Sequence, residues 1–244
     1  MTPHETIPIF SDPWWWSNGV TVAAIAAVIV MGKRLSLETR ERFGRALGII
    51  LLARWVLYHP YLMWLGHWNV QSNLPLHMCG FSSLLSGLVL LWRNQWGYEL
   101  LYYWGFPGAF HALLTPEFTS GRDGLLHYEY FFSHGGILAS ALFLTLICGM
   151  KPRCGSWWRI VLLTQPVLVI IGIANWFLDA NYMYLCQPPV ANNPFIIGQW
   201  PWYIVGLEVA GLLHLLLVYS PFGLKYYKAQ VTSAKGVPER TSIE

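Results

Sequence analysis

Seven apolar windows set the terms for this chain, at roughly 14–31, 44–65, 74–92, 98–115, 127–149, 158–179 and 200–219. A run of about 17 to 25 apolar residues is long enough to cross the hydrocarbon of a bilayer as a helix. Backbone polar groups in that medium must bond to one another, which leaves few solutions besides a helix bundle. With 55% hydrophobic and only 11% charged residues, the chain also lacks the polar surface of a soluble domain. The expected fold is all-α, a polytopic membrane protein with a bundle of seven transmembrane helices over 14–219. Residues 1–13 are expected as an extracytoplasmic N-terminus and 220–244 as a polar, disordered cytoplasmic tail.

The basic residues orient this arrangement. Lys33, Arg34, Arg40, Arg42 and Arg45 follow the first window, Arg93 the third, and Lys151, Arg153 and Arg159 the fifth, while Lys225, Lys228, Lys235 and Arg240 lie in the tail. Thirteen of the fifteen thus fall on one side of a seven-span chain, so the N-terminus is expected outside and the C-terminus in the cytoplasm. Met1 to Pro13 carries no Lys or Arg, and no small-residue cleavage site follows the first window, which is therefore expected to be retained. Trp14, Trp15, Trp16, Trp64, Trp68, Trp200 and Trp202 fit outer interfacial anchors, Trp157 and Trp158 inner ones. Pro107 and Pro166 should bend the fourth and sixth spans. Cys79, Cys148, Cys154 and Cys186 have no metal-ligand spacing, so no metal or other cofactor is expected. No nucleic-acid motif is present.

Polar groups placed in hydrocarbon either pair or do chemistry. The stretch Asn73 to Ser86 is expected to open the third helix, with Asn73 as cap, Pro75 in the first turn, and Cys79, Ser82, Ser83 and Ser86 on one face. At about 1.5 Å of rise per residue, four spans bring their unusual side chains to one layer, within about 10 Å of the outer surface. These are Cys79 on the third, His111 on the fourth, Glu129 and His134 on the fifth, and Asn175 with Asp179 on the sixth. A cysteine nucleophile needs a neighbouring base and a group to orient that base. His134 is the expected base and Asp179 or Glu129 its orienter, while His77 points to another side of its helix. Helix-packing glue is the competing reading of each polar residue, and a Cys79–Cys186 disulfide that of the thiol. Arg54 and Glu208 are expected to form a separate structural ion pair, and His214 to lie too deep to serve Cys79.

The blocks Leu74 to Cys79, Gly105 to Ala109 running on to Pro116, Phe131 to Gly135, Asn181 to Leu185, and Gly198 to Tyr203 resemble the recurring segments of the YwaF-like bacterial membrane proteins. That family is similar to the eukaryotic transmembrane protein 164 group, regarded as acyltransferases that move a fatty acyl chain between phospholipids through an acyl-cysteine. The resemblance implies that Cys79 accepts the acyl group and His134 activates it. His77, Ser82, His111, Glu129, Asn175, Asp179, Asn181 and Tyr182 would then support the site or bind substrate. The implied partner is a membrane phospholipid or other acyl lipid, and the implied location the bacterial cytoplasmic membrane.

The expected function is accordingly a membrane-embedded lipid acyltransferase, or an acyl-ester hydrolase where water is the acceptor, working at an outer-leaflet site. The alternatives are a non-catalytic transporter or receptor for a small ligand, with an outward-facing polar pocket, and an assembly subunit. Internal repeats, common in transporters, are not evident.

Overall fold

Each apolar window becomes a helical rod in the computed structural model, which describes residues 5–190 and 195–234. The rods are α1 (Asp12–Arg34), α2 (Leu37–Trp64), α3 (Met78–Leu91), a composite rod of α4 (Gln95–Leu100), a π-helical turn (Leu101–Gly105) and α5 (Phe106–Leu114), then α6 (Leu125–Leu146), α7 (Ser156–Leu178) and α8 (Trp202–Ala234). The composite rod starts where the Asn94 side chain accepts the Gly97 N–H at 2.6 Å, a side-chain cap. Its bend, expected at Pro107, takes the form of the π turn just before that residue.

The chain runs back and forth between two ends of the bundle. At one end Arg93 pairs with Glu41 at 2.7 Å, Gln95 donates to the Lys151 carbonyl, and Tyr226 donates to the Pro152 carbonyl. Fully buried Glu99 receives the Arg153 guanidinium and backbone N–H there, at 2.6–3.2 Å. At the other end β1 (Glu5–Thr6) and β2 (Glu117–Phe118) form a two-stranded antiparallel ribbon, with Glu5 opposite Phe118 and Thr6 opposite Glu117. This ribbon, absent from the all-α expectation, ties the N-terminal segment to the α5–α6 loop.

Among the described residues four helices, α1, α2, α7 and most of α8, are long and apolar enough to cross a membrane. Their outward faces carry large exposed apolar side chains, such as Val169, Ile170, Ile173, Trp176 and Phe177 on α7. Such faces are a liability in water and ordinary in lipid. The chain is thus an all-helical, polytopic integral membrane protein. The remaining rods are central and more polar or shorter: α6 packs against α1, α3 and α5, and α3 against α2 and α6.

Two sequence expectations change here. The third helix begins at Met78 rather than Leu74, and its N-cap is His77. Asn73 is occupied elsewhere: its carbonyl oxygen accepts the Asn69 N–H at 2.9 Å and its amide donates to Ser120 Oγ at 2.6 Å. Residues 74–77 form a turn, held where the Tyr182 hydroxyl accepts the Leu74 N–H at 2.9 Å and donates to the Val70 carbonyl at 2.7 Å. The second change is at the C-terminus, where α8 carries helix through 220–234; of the expected disordered tail, 235–244 lies outside the described residues.

Close approach of α2 and α3 rests on two glycines. A Cβ on Gly87 would meet Leu52 Cγ at 2.5 Å and the Gly48 carbonyl at 2.9 Å. Small residues at such crossings let membrane helices gain contact area and weak backbone bonds. Gly87→Ala should therefore lower stability by about 1–3 kcal/mol, the usual cost of overpacking. Gly211→Ala, whose Cβ meets nothing within 4 Å, should leave the thermal midpoint of the detergent-extracted protein unchanged to within the effect of raised helix propensity.

Candidate active site

Starting α3 at Met78 puts Cys79 in the first helical turn, among backbone amides pointing out of the helix at its positive end. The thiol is free and half-buried, and so are all the protein's cysteines free; Cys186 is exposed, so the disulfide alternative is overturned. A Cβ on Gly108 would lie 3.8 Å from Cys79 Sγ, which makes the α5 backbone a close neighbour of the sulfur.

The thiol faces a cavity of about 580 Å³. His77, His111, Glu129, His134 and Glu208 share that wall, so much of the expected layer does converge. His134 on α6 sets its ring by a 2.7 Å contact from Nδ1 to the Tyr130 carbonyl. A carbonyl only accepts, so Nδ1 carries the proton and Nε2 is left as the acceptor. The orienter of His134 is therefore a backbone carbonyl one turn earlier, and neither expected carboxylate fills that role.

Glu129 instead meets Arg54, whose guanidinium also donates to Ser83 Oγ. The expected Arg54–Glu208 pair is thus replaced by Arg54–Glu129, because α6 lies beside α2 while α8 packs against α5 and α7. Glu208 accepts from Gln165 Nε2 on α7 at 3.2 Å.

Five other expected site residues belong to the frame. Asn175 is buried, and its amide pairs both ways with the Tyr182 backbone, at 2.9 and 2.8 Å. Tyr182 begins the 3₁₀ turn Tyr182–Tyr184 and holds the segment before α3, as described above. The Asn181 side chain accepts the Cys186 and Gln187 N–H groups, both at 3.0 Å, closing an exposed loop. Asp179 is exposed and ends α7 in the left-handed conformation, with φ of 50°. Ser82 is buried away from the cavity, next to Gly105 of the π turn, and its hydroxyl has no partner among the described residues. For Asn175 and Asp179 the sequence supplied a height along the helix and no direction in which the side chain faces.

His77 accepts the Met183 N–H at Nδ1, 3.2 Å away, and packs edge-on against Tyr182. This contact seats the 3₁₀ turn against the first turn of α3. It also brings in Tyr184 and Glu117, which sequence reading missed because loop residues carry no periodic signal. Tyr184 hydrogen-bonds Glu117, and burial, with Glu117 and Cys79 in electrostatic reach, pushes its hydroxyl pKa well up. Tyr184 is therefore a hydrogen-bond donor in the cavity and does not ionise. Tyr130 donates to the Ala112 carbonyl at 2.8 Å, joining α6 to α5 beside the site.

Breaking the Arg54–Glu129 pair leaves a mostly buried charge without its partner. Glu129→Ala should cost about 3 kcal/mol, the lower edge for a buried pair given some remaining exposure. Glu208→Gln should leave the thermal midpoint in detergent within about 0.5 kcal/mol of the native protein.

The profile of the TMEM164 family matches residues 9–219. An uncharacterized protein of Treponema pallidum (strain Nichols) is 26% identical over 159 residues, covering 62% of this chain and 63% of that protein. The NADH-quinone oxidoreductase subunit N of Moorella thermoacetica is 26% identical over 161 residues, covering 60% of this chain and 31% of that protein. The matched segments thus span less than two thirds of these relatives' own length. No solved structure matches the chain. The family profile takes in every rod from α1 to most of α8, together with Cys79 and His134, and the chain belongs to the TMEM164 family.

Proposed function

We propose that the protein is a membrane-embedded lipid acyltransferase that works through an acyl-cysteine on Cys79. The observation that carries this reading is the joint placement of a free thiol in a helical first turn and an imidazole of fixed tautomer on the wall of one cavity. His134 Nε2 takes the thiol proton, and the thiolate attacks the ester carbonyl of a phospholipid or other acyl lipid. Amides of the first turn of α3, together with the positive end of that helix, are the natural donors to the oxyanion. Collapse of the intermediate expels the glycerol oxygen, which recovers the proton from His134. A hydroxyl acceptor then takes the acyl group; with water as acceptor the same site is a hydrolase.

A route for the acyl chain supports this reading. A second, larger groove of about 1020 Å³ lies between α1, α2 and α6, lined by apolar side chains such as Val20, Ile25, Leu51 and Phe132. It meets the cavity at Arg54, Tyr58 and Glu129, which border both. A lipid tail entering from the bilayer side would run along this groove toward the thiol.

On this reading all seven rods cross the membrane, with the N-terminus outside and the C-terminus in the cytoplasm of a bacterial cell. The grouping of Arg40, Arg93, Lys151 and Arg153 at one end of the bundle and of the cavity mouth at the other supports that orientation.

The test is direct. Protein reconstituted with a phospholipid carrying a labelled acyl chain should acquire label on Cys79 that neutral hydroxylamine removes. Cys79→Ala should abolish labelling, and His134→Ala should slow it by about 10²-fold or more. Undiminished turnover in both variants would refute acyl transfer through Cys79.

A further inference from the structure

The cavity also holds an imidazole pair. His111 on α5 and His214 on α8 face each other, Nε2 to Nε2, at 2.8 Å, with Phe195 edge-on to both rings. His214 Nδ1 lies 2.6 Å from the Ala210 carbonyl, which can only accept, so the proton of neutral His214 is on Nδ1 and its Nε2 is an acceptor. The nitrogen facing it must then donate, which fixes neutral His111 as the Nε2–H form. The lone pair of His111 Nδ1 is left over, and no described residue bonds it.

Position matters as much as tautomer. A Cβ on Gly108 would lie 3.8 Å from Cys79 Sγ, and His111 is three residues further along the same helix, on the same face. Such i, i+3 neighbours lie about 5–6 Å apart between Cβ positions, well within the reach of an imidazole. Thus His134 reaches the cavity from α6 and His111 from α5.

We infer that His111 is the general base of the second half-reaction, acting on the acceptor hydroxyl, and that His214 is its positioning residue. This rests on the acyl-transfer reading. In the step, the acceptor oxygen attacks the thioester carbonyl carbon as its proton passes to His111 Nδ1. The new C–O bond forms, the C–S bond breaks, and Cys79 departs as thiolate. The proton then returns from His111 to the sulfur, and thiol and neutral imidazole are restored. While His111 is cationic, its Nε2–H donates to His214 Nε2, whose own orientation the Ala210 carbonyl holds.

The experiment separates the half-reactions in full-length protein reconstituted in bilayers. Cys79 is charged from a labelled phospholipid, and discharge to a lysophospholipid acceptor is followed. His111→Gln keeps a donor toward His214 and has no basic nitrogen. It should acylate at close to the native rate and discharge about 10²-fold more slowly, so that acyl-Cys79 accumulates. His214→Leu should show the same split, while His214→Gln, which keeps an acceptor for His111, should recover most of the discharge rate. Discharge at the native rate in His111→Gln overturns the assignment and leaves the acyl-cysteine reading standing. Acylation and discharge falling together in all three variants marks a packing role and overturns it as well. Native protein that never charges Cys79 sinks both readings at once.

Discussion

A guanidinium shared by three helices sets the geometry on which the site depends. Arg54 of α2 donates to Glu129 of α6 and to Ser83 of α3, away from bulk water. A charge at such depth cannot be left alone without a cost of at least a few kcal/mol. The demand for partners therefore fixes the register of the three helices against one another. Ser83 is one turn beyond Cys79 on α3, and Glu129 is about one turn before His134 on α6. By clamping Ser83 to Glu129, Arg54 also fixes the relative height of the thiol and the imidazole. The same residue borders both cavity and groove, so the pair that orders the frame stands where the two meet.

The second support is a chain of loop contacts on the opposite side of the thiol. Asn175 grips the Tyr182 backbone, Tyr182 holds Leu74 and Val70, and His77 accepts from Met183. Each link satisfies a backbone group that a turn in a membrane protein would otherwise leave unpaired. Their sum decides where α3 can begin. Had Asn73 capped the helix, Cys79 would sit past the first turn, with its backbone amide committed to an intrahelical bond. Bonded to Asn69 and Ser120 instead, Asn73 releases the chain into helix only at Met78.

What was legible in the sequence follows from which forces are local. Each window became a rod because hydrophobicity summed over about twenty residues does not depend on neighbours. Cys79, His111 and His134, set at one height by a fixed rise per residue, do border one cavity. Azimuth and helix adjacency were not legible: Asp179 and Asn175 were expected in one layer with Cys79, yet the first is exposed and the second grips a loop. Arg54 was matched by depth to Glu208, and only packing shows that α6, not α8, is the neighbour able to answer it. His214 was set aside as too deep, whereas its ring meets His111 across α5 and α8. Glu117, Tyr184 and the β1–β2 ribbon come from loops, where no period marks a residue as inward.

Both imidazole systems are oriented by backbone carbonyls, Tyr130 for His134 and Ala210, through His214, for His111. A carboxylate in either place would stabilise an imidazolium more strongly, but it would add a fixed negative charge near a sulfur that, under the acyl-transfer proposal, has itself to become negative. In a medium of low dielectric that repulsion is costly, and of the carboxylates on the cavity wall Glu129 is paired with Arg54 and Glu208 accepts from Gln165. Under that proposal the chamber would rest with neutral thiol and neutral rings, and charge would be separated only when an ester carbonyl is present to take the developing negative charge. Within a bilayer, where stray water is scarce and a standing thiolate would be poorly solvated, carbonyl-held bases would, under the acyl-transfer proposal, let the cysteine stay inert until an acyl lipid arrives.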